Sequence, residues 1–95
     1  MNELNYASFE ASKRLVEAGI ILEAEYCWYI TGKMPKPSMA EVWRELPDGI
    51  CIEKHIAFTQ ANYPTGELYT NKIFCNTNPT DALIDLLIWV RKEKP

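Results

Sequence analysis

The stretch that most restricts how this chain can fold is its last, NPTDALIDLLIWVRKEK, residues 78–94. It reads as a helix with Asn78 as cap and Pro79 at the first helical position, where a backbone N–H would go unused. Asp81 falls at N3, placed to reciprocate the cap. Ala82, Leu83, Leu86, Leu87 and Val90 form a wide apolar arc, which Ile84 and Ile88 extend. Asp81 sits at the positive end of the helix dipole, and Arg91, Lys92 and Lys94 at the negative end. An arc this broad exceeds the stripe of an ordinary surface helix. It requires cover from a sheet, from another helix or from a second copy.

The remainder of the chain must supply that cover within a total of 95 residues, enough for one domain and one core over 1–95. With 47% hydrophobic residues the chain has the apolar content to order itself. Thirteen acidic and ten basic residues give a net charge of −3, with no basic stripe. Duplex binding needs clustered cations, so nucleic acid is not an expected partner. The start, MNELNYASFE, has neither a basic segment nor an apolar one, so no signal peptide is expected. The apolar run at 86–90 is too short to cross a bilayer. The expectation is a cytoplasmic protein without membrane contact. Three cysteines, Cys27, Cys51 and Cys75, are an odd number and are expected as free thiols.

A first helix is expected over 8–18, capped by Ser8 and closed by Gly19 as the left-handed residue, with Ile20 folding back in a Schellman motif. From Leu22 the period changes from 3.6 to 2. Leu22, Ala24, Tyr26, Trp28 and Ile30 share one face of a strand over 22–31, and Glu23, Glu25, Cys27, Tyr29 and Thr31 share the other. Residues 32–37 end it. PKPSMAEVWRELPDG, residues 35–49, then spells a short helix: Ser38 and Glu41 form a capping box, Met39, Val42, Trp43 and Leu46 share a face, and Pro47 stops it. A second strand is expected over 50–59, with Ile50, Ile52, Ile56 and Phe58 on one face. Lys54 interrupts that face, the mark of an edge or a sheet end. TQANYPTGE reads as a turn, and a third strand follows over 68–75. The order α-β-α-β-β-α predicts an α+β fold: a three-stranded, mainly antiparallel sheet with helices packed on one face.

Three segments, ASFEASKRLVEAGIILEAEYCWY, PSMAEVWRELPDG and NPTDALIDLLIWV, together resemble a group of small uncharacterised proteins encoded by bacteriophages and prophages of gut bacteria. The likeness covers roughly half the chain and leaves out residues 50–76. It implies a mobile-element setting in a bacterial host and carries over no catalytic residue.

Candidate chemistry is sparse. Cys27, Cys51, Cys75 and His55 have no metal-ligand spacing. Four strand residues would separate Cys51 from His55 by roughly 13 Å, so three cysteines meeting across strands would be the only route to zinc. No metal or other cofactor is expected. Glu23 and Glu25, roughly 7 Å apart on one strand face, could serve as paired carboxylates, but a solvated face explains them as well. No Gly-x-Ser-x-Gly elbow or phosphate loop is present, and the chain reads as a non-enzyme. Tyr29, Tyr63 and Tyr69 are aromatics hard to assign to the core, and Trp43 lies on an apolar helical face where packing explains it as well. Beside Arg44, Lys33 or Lys36 they could stack on a base while a cation meets phosphate. The expected function is therefore binding without catalysis, as a module that engages itself, in a homo-oligomer, or a host protein. The alternative is a sequesterer of a small anionic or nucleotide-like signal, blunting host defence through Tyr29, Trp43, Arg44, Tyr63 and Tyr69.

Overall fold

A computed structural model describes residues 5–29, 33–55, 57–64 and 71–93. The chain is an α+β protein whose described residues form three helices, α1 (Phe9–Glu17), α2 (Met39–Arg44) and α3 (Pro79–Glu93). Its strands form two antiparallel sheets. One is a hairpin of β1 (Tyr26–Tyr29) and β2 (Lys33–Lys36); the other has three strands, β3 (Cys51–Lys54), β4 (Thr59–Pro64) and β5 (Asn71–Asn76), in the order β3-β4-β5.

The last helix organises the molecule. Leu83, Ile84, Leu86 and Leu87 are fully buried, and α3 packs against β4, β5, α2 and α1. The apolar arc is thus largely covered within the chain, with Ile88 and Trp89 left partly buried. Each of the fully buried side chains contributes roughly 1.5–3 kcal/mol by leaving water. Asn78 caps the helix as expected, its Oδ1 accepting from the backbone N–H of Thr80 and Asp81. Asp81, however, does not reciprocate. It is buried, and its carboxylate accepts from the backbone N–H of Ser8 at 2.9 Å. Asn78 Nδ2 donates to the Tyr6 carbonyl, and Ala7 N–H to the Pro37 carbonyl. The segment before α1 thereby clasps the starts of α2 and α3.

The local signals of the other helices hold. Ser8 Oγ accepts from Ala11 N–H, Gly19 adopts φ +76°, and Ile20 N–H donates to the Leu15 carbonyl to complete a Schellman motif. Ser38 and Glu41 form the reciprocal capping box. Arg14–Asp85 (2.9 Å) and Arg91–Glu45 (3.3 Å) tie α1 and α2 to α3 along exposed seams.

The strands depart from expectation in three places. The strand read over 22–31 is regular only at Tyr26–Tyr29, and instead of stopping, the chain returns as β2, with Cys27 opposite Pro35 and Trp28 opposite Met34. Pro35 has no N–H to donate, so it occupies a non-hydrogen-bonded position of a two-stranded ribbon. Ile30 and Thr31 lie outside the described residues. Second, the strand read over 50–59 is two strands. The chain reverses between His55, whose N–H donates to the Phe58 carbonyl at 2.8 Å, and Phe58 itself. No Gly, Pro, Asn or Asp marks that reversal, so the sequence alternation reads straight through it; Ile56 lies outside the described residues. Third, the segment read as a turn from Thr59 begins with β4, the central strand. Pro64 is tolerated there because its missing donor points past the end of β3, whose first residue, Cys51, already pairs with Asn62. The element order is α-β-β-α-β-β-β-α; residues 68–70 of the third expected strand lie outside the described residues.

Truncating the central helix should be far costlier than truncating the open sheet face. Leu86→Ala should cost about 2–5 kcal/mol in urea unfolding. Ile73→Ala, at a side chain 47% exposed, should cost less than about 1 kcal/mol. Equal costs would contradict this placement of the core.

Candidate functional site

The register of the three-stranded sheet determines what each face and edge presents. Ile52 lies opposite Ala61, which lies opposite Phe74; Lys54, Thr59 and Asn76 form the next row of the same face. This is the face that α3 covers, since Trp89 meets Tyr63 and Phe74 edge-on or tilted, with ring centroids at 5.3 and 6.5 Å. Cover ends at β4. All four residues of β3 are exposed, because the helix rests mainly on β4 and β5 and the third strand overhangs it.

Beneath that overhang is a cleft of about 490 Å³, bounded by β3, the β3–β4 reversal and the starts of α2 and α3. Ile52, Phe58, Met39 and Pro79 supply its apolar lining, and Lys54 and His55 its polar side. The volume falls in the range of ordinary ligand pockets. His55 is stacked on Phe58 with centroids 4.7 Å apart, and its Nε2 is 3.4 Å from a Glu53 carboxylate oxygen. Among the described residues Lys54 makes no ion pair and no carboxylate side chain lines the cleft. The start of α3 adds no anion site, because Pro79 has no N–H and Asn78 already takes those of Thr80 and Asp81.

The hydrogen bond from His55 to Phe58 also sets the phase of the ladder. In an antiparallel pair, hydrogen-bonded and non-hydrogen-bonded pairs alternate. His55, Glu53 and Cys51 therefore direct their backbone groups toward β4, whereas Ile52 and Lys54 direct theirs to the outer edge. The same two residues place their side chains over the cleft. One strand thus presents backbone donors and acceptors at its rim and an apolar–cationic side-chain pair below.

The residues expected from sequence to bind a ligand do not gather there. Trp43 (45% exposed) and Arg44 line a separate shallow cleft of about 290 Å³ at the end of α2, beside Asp48. Arg44 Nε lies 3.9 Å from Glu45, which also holds Arg91. Tyr29 stands 75% exposed on the hairpin and lines neither cleft. Tyr63 is not in a loop but in β4, packed against Trp89. Tyr69 lies outside the described residues, as does the side chain of Lys33. Lys36 is already engaged, its Nζ lying 4.4 Å from the Trp28 ring centroid and 5.6 Å from that of Tyr6. That cluster joins the hairpin to α1 through Phe9–Trp28 and a Trp28 Nε1 bond to Ser12 Oγ. Desolvation, then the nearby Tyr26, Glu25 and Glu41, push the Tyr6 phenol above the usual tyrosine range.

Glu23 and Glu25 precede β1 in irregular backbone, so the paired-carboxylate geometry of one strand face is not formed; Glu25 N–H donates to Glu41. Cys27 lies in the hairpin sheet, while Cys51 and Cys75 occupy the two outer strands of the other with β4 between them. Among the described residues no group of three or more Cys, His, Asp or Glu is placed to hold a metal ion. No described helix is long and apolar enough to cross a membrane. Compared with protein-family models, curated proteins and solved structures, the chain matches none.

Proline substitution tests the phase of β3. Ile52→Pro should unfold close to Ile52→Ala, because its lost N–H faces outward. Glu53→Pro should lose about 1–3 kcal/mol beyond Glu53→Ala, because it leaves a Gln60 carbonyl without its donor. The reverse order in urea titration would show that the opposite set of backbone groups faces the edge.

Proposed function

We propose that this protein is a non-catalytic binding module of a phage-type mobile element, acting in the host cytoplasm by docking an extended segment of another protein along β3. The observation that carries this reading is the overhang: an edge strand with outward-facing backbone groups at Ile52 and Lys54, directly above an apolar cleft. An added strand would gain main-chain hydrogen bonds from the rim and specificity from side chains placed in the cleft. An uncovered strand is otherwise an aggregation liability, which a native partner would relieve. The phage setting rests on the sequence resemblance alone.

The test compares wild type with Ile52→Pro in capture from a bacterial lysate with cross-linking at β3. Partners held by wild type and lost by the proline variant, with cross-links mapping to residues 51–54, support the reading. Partners held equally by both would overturn it.

The cleft also favours a second reading, sequestration of a small anionic or nucleotide-like ligand. The stacked Phe58–His55 pair offers a ring face and Lys54 a cation. A ligand at about 100 times its dissociation constant would stabilise the fold by roughly 2.7 kcal/mol. Native mass spectrometry showing a stoichiometric small molecule, released on denaturation and lost in Phe58→Ala, is the result expected of this second reading. Retention of that molecule by Phe58→Ala would remove the cleft as its site.

A further inference from the structure

Granting that β3 is the docking edge, the charge arrangement beneath it selects the partner's sequence. We infer that the segment docked on β3 is acidic, with an apolar residue and an Asp or Glu two positions apart on the strand face turned toward the cleft.

The inference follows from the register. A strand added to β3 places its residues directly opposite Ile52 and Lys54 on the same sheet face as those side chains. The residue opposite Ile52 meets an apolar surface of Ile52, Phe58, Met39 and Pro79. The residue opposite Lys54 meets an ammonium group that has no ion pair among the described residues. Its neighbours on β3 and the reversal that carry acid–base groups include Glu53 and His55. They engage one another at 3.4 Å, with Glu53 on the opposite sheet face. A basic residue at that position would face Lys54 with no carboxylate of the described residues lining the cleft to offset it, whereas an acidic one completes the pair. The protein as a whole carries −3, so a cationic spot on this edge is local and works against the general field; it acts at contact range.

A second copy of this chain is a poorer occupant. Antiparallel addition of β3 to β3 about a two-fold axis perpendicular to the sheet places a second Lys54 on the cleft side and supplies no acidic residue there, because Glu53 lies on the other face in both copies.

The experiment uses three eight-residue peptides whose one face alternates Leu with Glu, Leu with Lys, or Leu with Thr, the opposite face being Thr throughout. Binding to the full chain is measured by fluorescence anisotropy at low and physiological salt, for wild type, Ile52→Pro and Lys54→Glu. The Glu peptide should bind wild type at least about fivefold more tightly than the Thr peptide, with the Lys peptide weakest. Lys54→Glu should reverse the order of the Glu and Lys peptides. All peptides should weaken together on Ile52→Pro. If the three bind alike and all are lost on Ile52→Pro, docking on β3 stands and the acidic preference is overturned. If binding is unaffected by Ile52→Pro, or no peptide binds, the docking reading itself is overturned. If light scattering shows wild type as a dimer that Ile52→Pro converts to monomer, the occupant is a second copy and the acidic partner is rejected.

Discussion

A single helix is about 10 Å wide and strands lie roughly 4.8 Å apart, so one helix covers two strands and not three. That mismatch governs this molecule. The chain provides one strongly apolar helix, α3, and buries it on β4 and β5 with α1 and α2 closing its other sides. Among the described residues nothing comparable covers β3. The Cα envelope is only 18 Å in its shortest dimension, the thickness of one helix layer on one sheet layer. Uncovered β3 and the cleft below it are therefore consequences of how the core is filled, and they occur where the helix layer ends.

The cleft also depends on a polar clasp far from β3 in sequence. Asp81 would be an expensive buried carboxylate without a donor, and Ser8 N–H provides one. Asn78 and Ala7 add bonds to Tyr6 and Pro37, so that Met39 at the start of α2 and Pro79 at the start of α3 are held beside each other. Those two residues form the inner side of the cleft. Burial of α3 thus fixes where the cleft lies, and the clasp fixes its shape.

Much of this was legible in the sequence where a local rule has a local cause. The Ser38–Glu41 box, the Gly19 closure and the Asn78 cap each depend on residues within one turn, and each forms. The α+β class followed from the alternation of periods. What was not legible depends on distant partners. The reversal after His55 is made without turn residues, so its position comes from pairing with β4, not from the chemistry of Ile56 and Ala57. Tyr63 looked like a loop residue beside Pro64, but Trp89, 26 positions later, draws it into the core. Lys54, interrupting an apolar face, did signal an edge. The cleft itself draws Met39, Ile52, Phe58 and Pro79 from separate elements, and no spacing in the sequence foretells their meeting. Trp43 and Arg44 are adjacent on α2 and do share a surface, yet Tyr29, another of the five candidates, stands apart on the hairpin.

The most direct test of a free, correctly phased edge is residue-resolved amide hydrogen exchange of β3 in the isolated protein. The Ile52 and Lys54 amides should exchange at rates near those of solvent-exposed backbone, while the Cys51 and Glu53 amides are protected by β4. Equal protection at all four would mean that the outer edge is already covered, and the account of β3 as an open docking strand would fail.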